Sequence, residues 1–518
     1  MLFHVLNRGV GRRQLFRKTS DYVAVGEGDV YQQFPEGVFF RGLWRNCEWC
    51  FVNTGYNYED VRVVEFRCLD TAGWSMESRK FRPRKALSAD GLFGMIRQRF
   101  EGVTDPRPGL PRIPLGDALM SAFAMFSLKC PSLLAFDEKR GDPNIHRLYH
   151  VGCIPSDTSM REILDGVDPA EIRPVFVDLF RCLQRGKALE PYVYWNKGYL
   201  LALDGTEYFT SDKVHCPSCQ EKHSRSGVTT YSHATVGVAL VHPDHREVIP
   251  LCPEPIIRQD GQTKNDCERN ATRRLLSHIR REHPHLEFIV IEDGLSSNGP
   301  HVKDLLDHRM HFILGAKPGD HPFLFQKAVK AIDEGRADNL ETVDAQNGER
   351  RSYTAVTGLP LNESHPDLLL NFVSCTVDKG EKSTTFSWVT DLPTTPIRKM
   401  LPLIERGGRT RWKIENETFN TLKNQDYHFE HNYGHGNKNL STVLMMLMML
   451  AFLVDQTQQI ACPLFRAAAA KLNCKRRLWE KMRALFFEFA FDNMAALYET
   501  IVRGHVRVAP ILLPFDSS

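Results

Sequence analysis

Between Tyr199 and Gly315 the alternation of apolar and polar stretches sets out a sheet and the helices that cross it. Tyr199-Leu-Leu-Ala-Leu-Asp204-Gly is an apolar run closed by a carboxylate and a glycine. Ala234 to Val241 and Glu247 to Leu251 follow as second and third strands. Cys267 to His283 reads as a long helix rich in arginine. In Glu287-Phe-Ile-Val-Ile-Glu-Asp-Gly294, the residues Phe288 to Glu292 form a fourth strand that again ends in Asp-Gly. Val302 to Arg309 is a second helix and His311-Phe-Ile-Leu-Gly315 a fifth strand. The order β-β-β-α-β-α-β predicts a mixed sheet in an α/β fold, with Asp204 and Asp293 ending central neighbours. The carboxyl ends of strands in open α/β sheets are where ligands and metals gather. Taken singly, each Asp-Gly is explained as well by a turn.

The flanks read differently. Residues 1–86 are an extension whose pattern predicts no function. Residues 87–195 form a helical domain, either DNA-binding or purely for packing. It holds the prolines Pro106, Pro108, Pro111 and Pro114, then a helix over Leu115 to Leu128. Ser159-Met-Arg-Glu162 is a capping box opening the next helix, and Glu171 to Leu183 is a third, with Pro174 in its first turn. Residues 196–318 hold the first part of the sheet. Residues 319–392 read as a mainly β insertion with strands at Tyr353 to Leu359, Leu368 to Val377 and Thr384 to Val389. Residues 393–460 return to helix, from Pro396 to about Lys423 apart from a break at Gly407-Gly408. Leu440 to Val454 is apolar all round, too short for a span, and reads as a buried helix. Residues 461–518 are helical from Ala467 to Arg503, with a basic stretch from Lys471 to Lys481 and an apolar end from Val506.

Composition narrows the class. The chain has 518 residues, 42% hydrophobic and 25% charged, with a formal net charge of only +3. That is the profile of a globular protein, and any affinity for nucleic acid must lie in clusters rather than in the total. Thirteen cysteines without a secretory signal predict a reducing, cytoplasmic setting. The N-terminal Arg8, Arg12, Arg13, Arg17 and Lys18 form a basic tail. From Arg398 to Lys423 there are seven Lys or Arg against three acids. Within this helix Arg411-Trp-Lys-Ile-Glu415 sets Arg411 and Glu415 four apart, on one face. They are either a surface ion pair or a metal carboxylate beside a phosphate-gripping arginine. Arg409, Lys413 and Lys423 are further candidates for phosphate contact. Glu417, which shares a face with Lys413, rivals Glu415.

Sulfur and imidazole point to a second chemistry. His215-Cys216-Pro-Ser-Cys219-Gln-Glu-Lys-His223 has zinc-ligand spacing in Cys216, Cys219 and His223, and His233, Cys252 or Cys267 could complete a set of four. A metal-free turn is the competing explanation. Cys47-Glu-Trp-Cys50 lacks a second pair and reads as two unlinked thiols. His428, His431 and His435 read as loop histidines that hydrogen-bond, with contact to DNA or metal as the alternative, and Trp388 as a core tryptophan on a strand, with base stacking as the alternative.

Three features together resemble the DDE transposases of bacterial insertion sequences: Asp204-Gly on the first strand, Asp293-Gly on the fourth, and Arg411-Trp-Lys-Ile-Glu415 on a late helix after a long insertion. Supporting phrases are Asp260-Gly-Gln-Thr-Lys-Asn265-Asp266-Cys-Glu268-Arg269-Asn270, Gly315-Ala-Lys-Pro-Gly-Asp320-His321 and Asn416-Glu-Thr-Phe-Asn-Thr-Leu-Lys423. The similarity spans roughly Gly91 to Ile460. It implies an RNase H-like five-stranded core with flanking helices, a β insertion before the last acid, and Asp204, Asp293 and Glu415 as the catalytic triad. It implies two Mg²⁺ ions about 3.5–4 Å apart, replaceable by Mn²⁺ and bridged by Asp204, that drive cleavage and strand transfer. Its partners would be double-stranded DNA at element ends and target DNA. The enzyme would act as a homodimer, nucleoid-associated and away from membranes. An inactive DNA-binding protein of the same fold, or a nuclease without joining activity, are the alternatives. Arg411 matches the arginine of that group's tyrosine–arginine–glutamate–lysine signature. Two positions depart from it. Gly408 stands where the tyrosine is expected, and Leu422 where the lysine is, with Lys423 one residue late. On a regular helix that turns the ammonium by about 100°.

Overall fold

The computed structural model describes residues 85–504 apart from 226, 258–266, 345–347 and 381, together with short strands before residue 66. The chain divides into two compact units, Met1–Phe81 and Arg82–Ser518. In the first, the strands Val23–Ala24, Asp29–Gln33, Phe39–Leu43, Val61–Glu65 and Thr54–Tyr58 lie side by side in that order. The basic N-terminal cluster, Cys47, Cys50, the phrase from Asp260 to Asp266 and the end from Val506 lie outside the described residues.

The second unit is a mixed α/β structure around one twelve-stranded sheet. Its first strands are β1 (Gly198–Ser211), β2 (Thr229–His242) and β3 (His245–Pro250), joined antiparallel. Next come β4 (Phe288–Glu292) and β5 (His311–Gly315), with β4 running parallel to both β1 and β5. The sheet order is therefore β3-β2-β1-β4-β5. All five residues of β4 are buried, which is why its sequence is apolar without alternation. The helices Glu268–Glu282 and Gly299–Asp307 flank it in the chain and supply the crossovers that parallel strands require.

The strands read as an insertion do not form a separate sheet. After the helix Pro322–Asp333, β6 (Asp338–Val343), β7 (Arg350–Asn362), β8 (His365–Lys379) and β9 (Lys382–Thr390) form an antiparallel meander. Its last strand pairs with β5, Leu314 against Val389, so the sheet continues as β5-β9-β8-β7-β6. One sheet edge is thereby paired instead of exposed.

Among the helix boundaries that differ from the sequence pattern, two have a local cause. The helix expected to open at Ser159 begins at Asp157, because Ser156 is its cap: its Oγ accepts from the Ser159 N–H at 3.4 Å. The break expected at Gly407-Gly408 is absent, and the helix Ile397–Arg409 runs through both. A side chain at 407 would meet Ile313 Cδ1 at 2.9 Å, and one at 408 would enter the Trp388 indole. The glycines are there for close packing, and the helix carries their lower propensity.

The helix Leu440–Ala461 is, among the described residues, the one long and apolar enough to cross a membrane, and it is buried within the fold. It packs on the helices Leu115–Ser127, Asp157–Asp165 and Arg173–Arg185 and on β3, which explains why it has no polar face. It thereby joins the helical region, the sheet and the C-terminal helices Pro463–Leu472, Lys475–Glu488 and Met494–Arg503 in one core.

Candidate acidic site and a thiolate–imidazole cluster

Parallel pairing brings two carboxylates level. Residues of β4 and β1 match as Phe288↔Tyr199 through Ile291↔Ala202. Asp293 and Asp204 each lie two residues beyond that last pair, so they project at the same height of adjacent strands. They differ in setting. β4 stops at Glu292, and Asp293 caps the turn Gly294–Ser296, accepting from the Leu295 N–H at 3.0 Å. Asp204 does not end its strand as expected from its sequence. β1 runs on to Ser211, because β2 continues to pair with it past Gly205 and Thr206. Glu292 next to Asp293 is buried and held by His301 Nε2 at 2.5 Å, which leaves Asp293 as the carboxylate facing the rim.

Glu415 lies on a turn that packs against β1, more than a hundred residues further along the chain. Burial foremost, and then the negative charges of Asp293 and Glu415, push the Asp204 carboxyl up to about 6, against the pull of Arg411. Arg411 Nη1 lies 3.3 Å from Asp204 Oδ2. Glu417, the rival, turns away and pairs with Arg246 at 3.3 Å. A fourth acid joins the rim that the sequence pattern did not single out as a site residue. Glu268 opens the helix Glu268–Glu282 and packs so closely on the strand that a Cβ at Gly205 would meet its Oε2 at 2.6 Å. Its carboxyl is also raised, by burial first and then by Asp204, Glu292 and Asp293. These acids are near enough for their charges to raise the Asp204 and Glu268 carboxyls, but they do not form one tight cluster.

The segment carrying Glu415 is not a regular α-helix. Ile414–Phe419 is a π-helical turn in which the Asn420 N–H bonds to the Glu415 carbonyl, five residues back. Such a turn absorbs one extra residue. Lys423, eight residues after Glu415, therefore falls where the seventh residue of a regular helix would, and Leu422 points into the core. Lys423 bonds Glu430 at 2.8 Å. Of the other basic candidates, Lys413 bonds the His245 carbonyl, and Arg409 pairs with Glu405 at 3.0 Å over the Phe386 ring. Neither joins the acidic rim; Arg411 alone of the four does.

The sulfur and imidazole groups also gather, in a different combination from the one the spacing predicted. The donor atoms of Cys216, Cys219, His233 and His435 lie within 4.8 Å of one another. His223 is not among them: it is on the exposed hairpin, its Nδ1 3.0 Å from Thr229 Oγ1. Cys252 sits buried against the Pro253 carbonyl, and Cys267 caps the next helix. His435, from the histidine-rich loop for which metal contact is the alternative reading, takes the fourth place. Cys219 first, and then the histidines His233 and His435, hold Cys216 well below the usual thiol range despite its burial. The cluster is one that could bind a metal.

Neither the known protein families nor the curated proteins offer a match to this sequence.

Proposed function

We propose that the chain cuts and joins DNA by metal-dependent phosphoryl transfer, as a DDE transposase with Asp204, Asp293 and Glu415 as its acids. What supports this reading is that Asp204 and Asp293 lie level on adjacent parallel strands, and that Glu415, on a turn packed against β1 more than a hundred residues later, is near enough for its charge to raise the Asp204 carboxyl. The strand order β3-β2-β1-β4-β5 supports an RNase H-like core. The π-helical turn supports the signature lysine, since it removes the offset of Lys423.

The donor set at the rim is carboxylate, the hard oxygen that Mg²⁺ prefers. Asp204, Asp293 and Glu415 would hold it, and when bound it activates the attacking oxygen and steadies the leaving one. The chain's own residues do the rest. Leu295 N–H fixes the orientation of Asp293. Arg411 offsets the charge of Asp204 until a phosphate arrives and then binds that phosphate. Lys423 and the basic helix that precedes it hold the DNA backbone. The substrates are double-stranded DNA at element ends and then target DNA, taken by a homodimer.

The test uses the full chain, a plasmid carrying the DNA that flanks its gene, and Mg²⁺ or Mn²⁺. Cleavage followed by joining is expected. Asp204→Asn, Asp293→Asn and Glu415→Gln should each abolish cleavage and leave DNA binding nearly intact. Cleavage that survives in any of them sinks the assignment. Nicking without joining would make the protein a nuclease, and binding without cleavage would leave a DNA-binding protein.

A further inference from the structure

The structure assigns a closed zinc site to Cys216, Cys219, His233 and His435, one that clasps the segment following the Glu415 helix to the β1–β2 hairpin. This stands independently of the DNA reading. Its first support is distance. The two sulfurs are 3.7 Å apart, too far for a disulfide, and each lies 3.3 Å from His233 Nε2. His435 Nδ1 is 3.8 Å from Cys219 Sγ. A tetrahedral ion with bonds of about 2.3 Å to sulfur and about 2.0 Å to nitrogen needs donor separations of roughly 3.3–3.8 Å. The four groups already stand near the corners of that tetrahedron.

The second support is burial and local construction. Cys216, Cys219 and His233 are all but inaccessible to solvent. Cys216 and Cys219 are held in a tight turn, the Cys219 N–H donating to the Cys216 carbonyl at 3.1 Å and the Cys216 N–H to Cys219 Sγ at 3.4 Å. His233 is fixed on β2 opposite Phe209, and the Phe209 ring meets His435 edge-on with centroids 4.1 Å apart. The other nitrogen of His233, Nδ1, is buried and has no hydrogen-bond partner among the described residues. The ring is thus engaged through Nε2 alone, and Nε2 faces both sulfurs. Two thiolates and two imidazoles select zinc over magnesium, and four protein donors leave no open position, so the role is structural.

The third support is what the ligands join. Cys219 and His435 are 216 residues apart. Ser218 Oγ donates to the Lys438 carbonyl at 3.0 Å beside the cluster. On its other side the same segment is tied by Asp165, whose carboxylate accepts from the N–H groups of Asn437, Lys438, Asn439 and Leu440. Zinc would complete the fastening of residues 425–439, and so fix the exit of the chain from the Glu415 helix.

Elemental analysis and native mass spectrometry of the full chain test this. One zinc per chain is expected. His435→Ala and Cys216→Ser should lose it, while His223→Ala and Cys252→Ser retain it. Absence of zinc from the folded chain overturns the proposal, as does retention by His435→Ala or loss by His223→Ala. Should the ligand variants fail to fold, the wild-type chain loaded with cobalt(II) decides. A tetrahedral spectrum with thiolate charge-transfer bands supports the site, and an octahedral spectrum without them refutes it. Amide exchange at residues 425–439 should rise on chelation; unchanged exchange would remove the clasp.

Discussion

Arg411 reaches across the acidic rim to Asp204, with Nη1 3.3 Å from Oδ2. The contact is longer than a tight charge-assisted hydrogen bond, and the guanidinium also lies over its neighbour's ring, 5.4 Å from the Trp412 centroid. Arg411 is thus held at the rim by loose contacts and can exchange a carboxylate for a phosphate. If it does so, Arg411→Ala should weaken DNA binding uniformly across sequences. The slope of log affinity against log salt should become shallower by about 1. Fluorescence anisotropy with a duplex over a range of salt measures it. An unchanged slope would leave Arg411 as an intramolecular partner of Asp204.

Gly408 shows how a departure from a motif can be dictated by packing. The Trp388 indole occupies the space a side chain at 408 would take. Trp388 is itself buried on β9, opposite Gly315 of β5. Gly408→Ala should destabilise the fold by about 1–3 kcal/mol, the usual range for overpacking. Trp388→Leu should cost stability too, but the double variant should be less unstable than the sum. Urea denaturation of the four proteins checks this, and strict additivity would show that the two positions do not compete for space.

The strands β4 and β5 were legible to the residue. Their apolar runs are bounded by polar turns, and burial on both faces leaves no alternation to misread. The first strand outruns its sequence pattern, because Asp204-Gly205 looks like a turn and only the partner β2 carries it further. The acids Asp204, Asp293 and Glu415 stand out in the sequence through their motif. Glu268 does not, since a glutamate opening an arginine-rich helix has the ordinary local role of favouring a helix N-terminus. Spacing selected His223 as a metal ligand, four residues after Cys219. Folding selects His435 instead, which no local pattern links to those cysteines. The π-helical turn has no sequence signal at all, yet it decides where Lys423 stands.

Lys129 and Asp455 make a buried ion pair at 2.6 Å that joins the end of the Leu115–Ser127 helix to the long apolar helix. Lys129 is sandwiched between the rings of Tyr427 and Trp479, its Nζ 4.4 Å from each centroid. Tyr427 donates its hydroxyl to the same carboxylate at 2.5 Å, and Lys129 also donates to the Ser127 carbonyl at 2.9 Å. Removing one charge strands the other in an apolar core. Lys129→Met should therefore cost about 3–5 kcal/mol, and Lys129→Met with Asp455→Leu should recover much of it. Equal stability of the single and double variants in chemical denaturation would mean that water reaches the carboxylate once the lysine is gone.

A second histidine–carboxylate pair should make stability depend on pH. His311 Nδ1 lies 2.6 Å from Asp391 Oδ2, while Asp391 Oδ1 accepts from the Phe312 N–H at 2.9 Å. The hydrogen bond to Asp391 raises the His311 pKa against the opposing effect of burial, and the charges of Asp391 and Glu287 add to the rise. Trp195, edge-on at 5.4 Å, is the remaining ring against it and carries no charge. A histidine raised on folding binds its proton more tightly in the native state. Its contribution is complete below the unfolded value of about 6.5 and disappears as pH climbs through the folded value. His311→Gln should then lower the melting temperature most near about pH 5.5–6 and progressively less toward about pH 8.5. A difference that stays flat across that range would show that the pair contributes through packing and neutral hydrogen bonding, with no protonated imidazole in the native state.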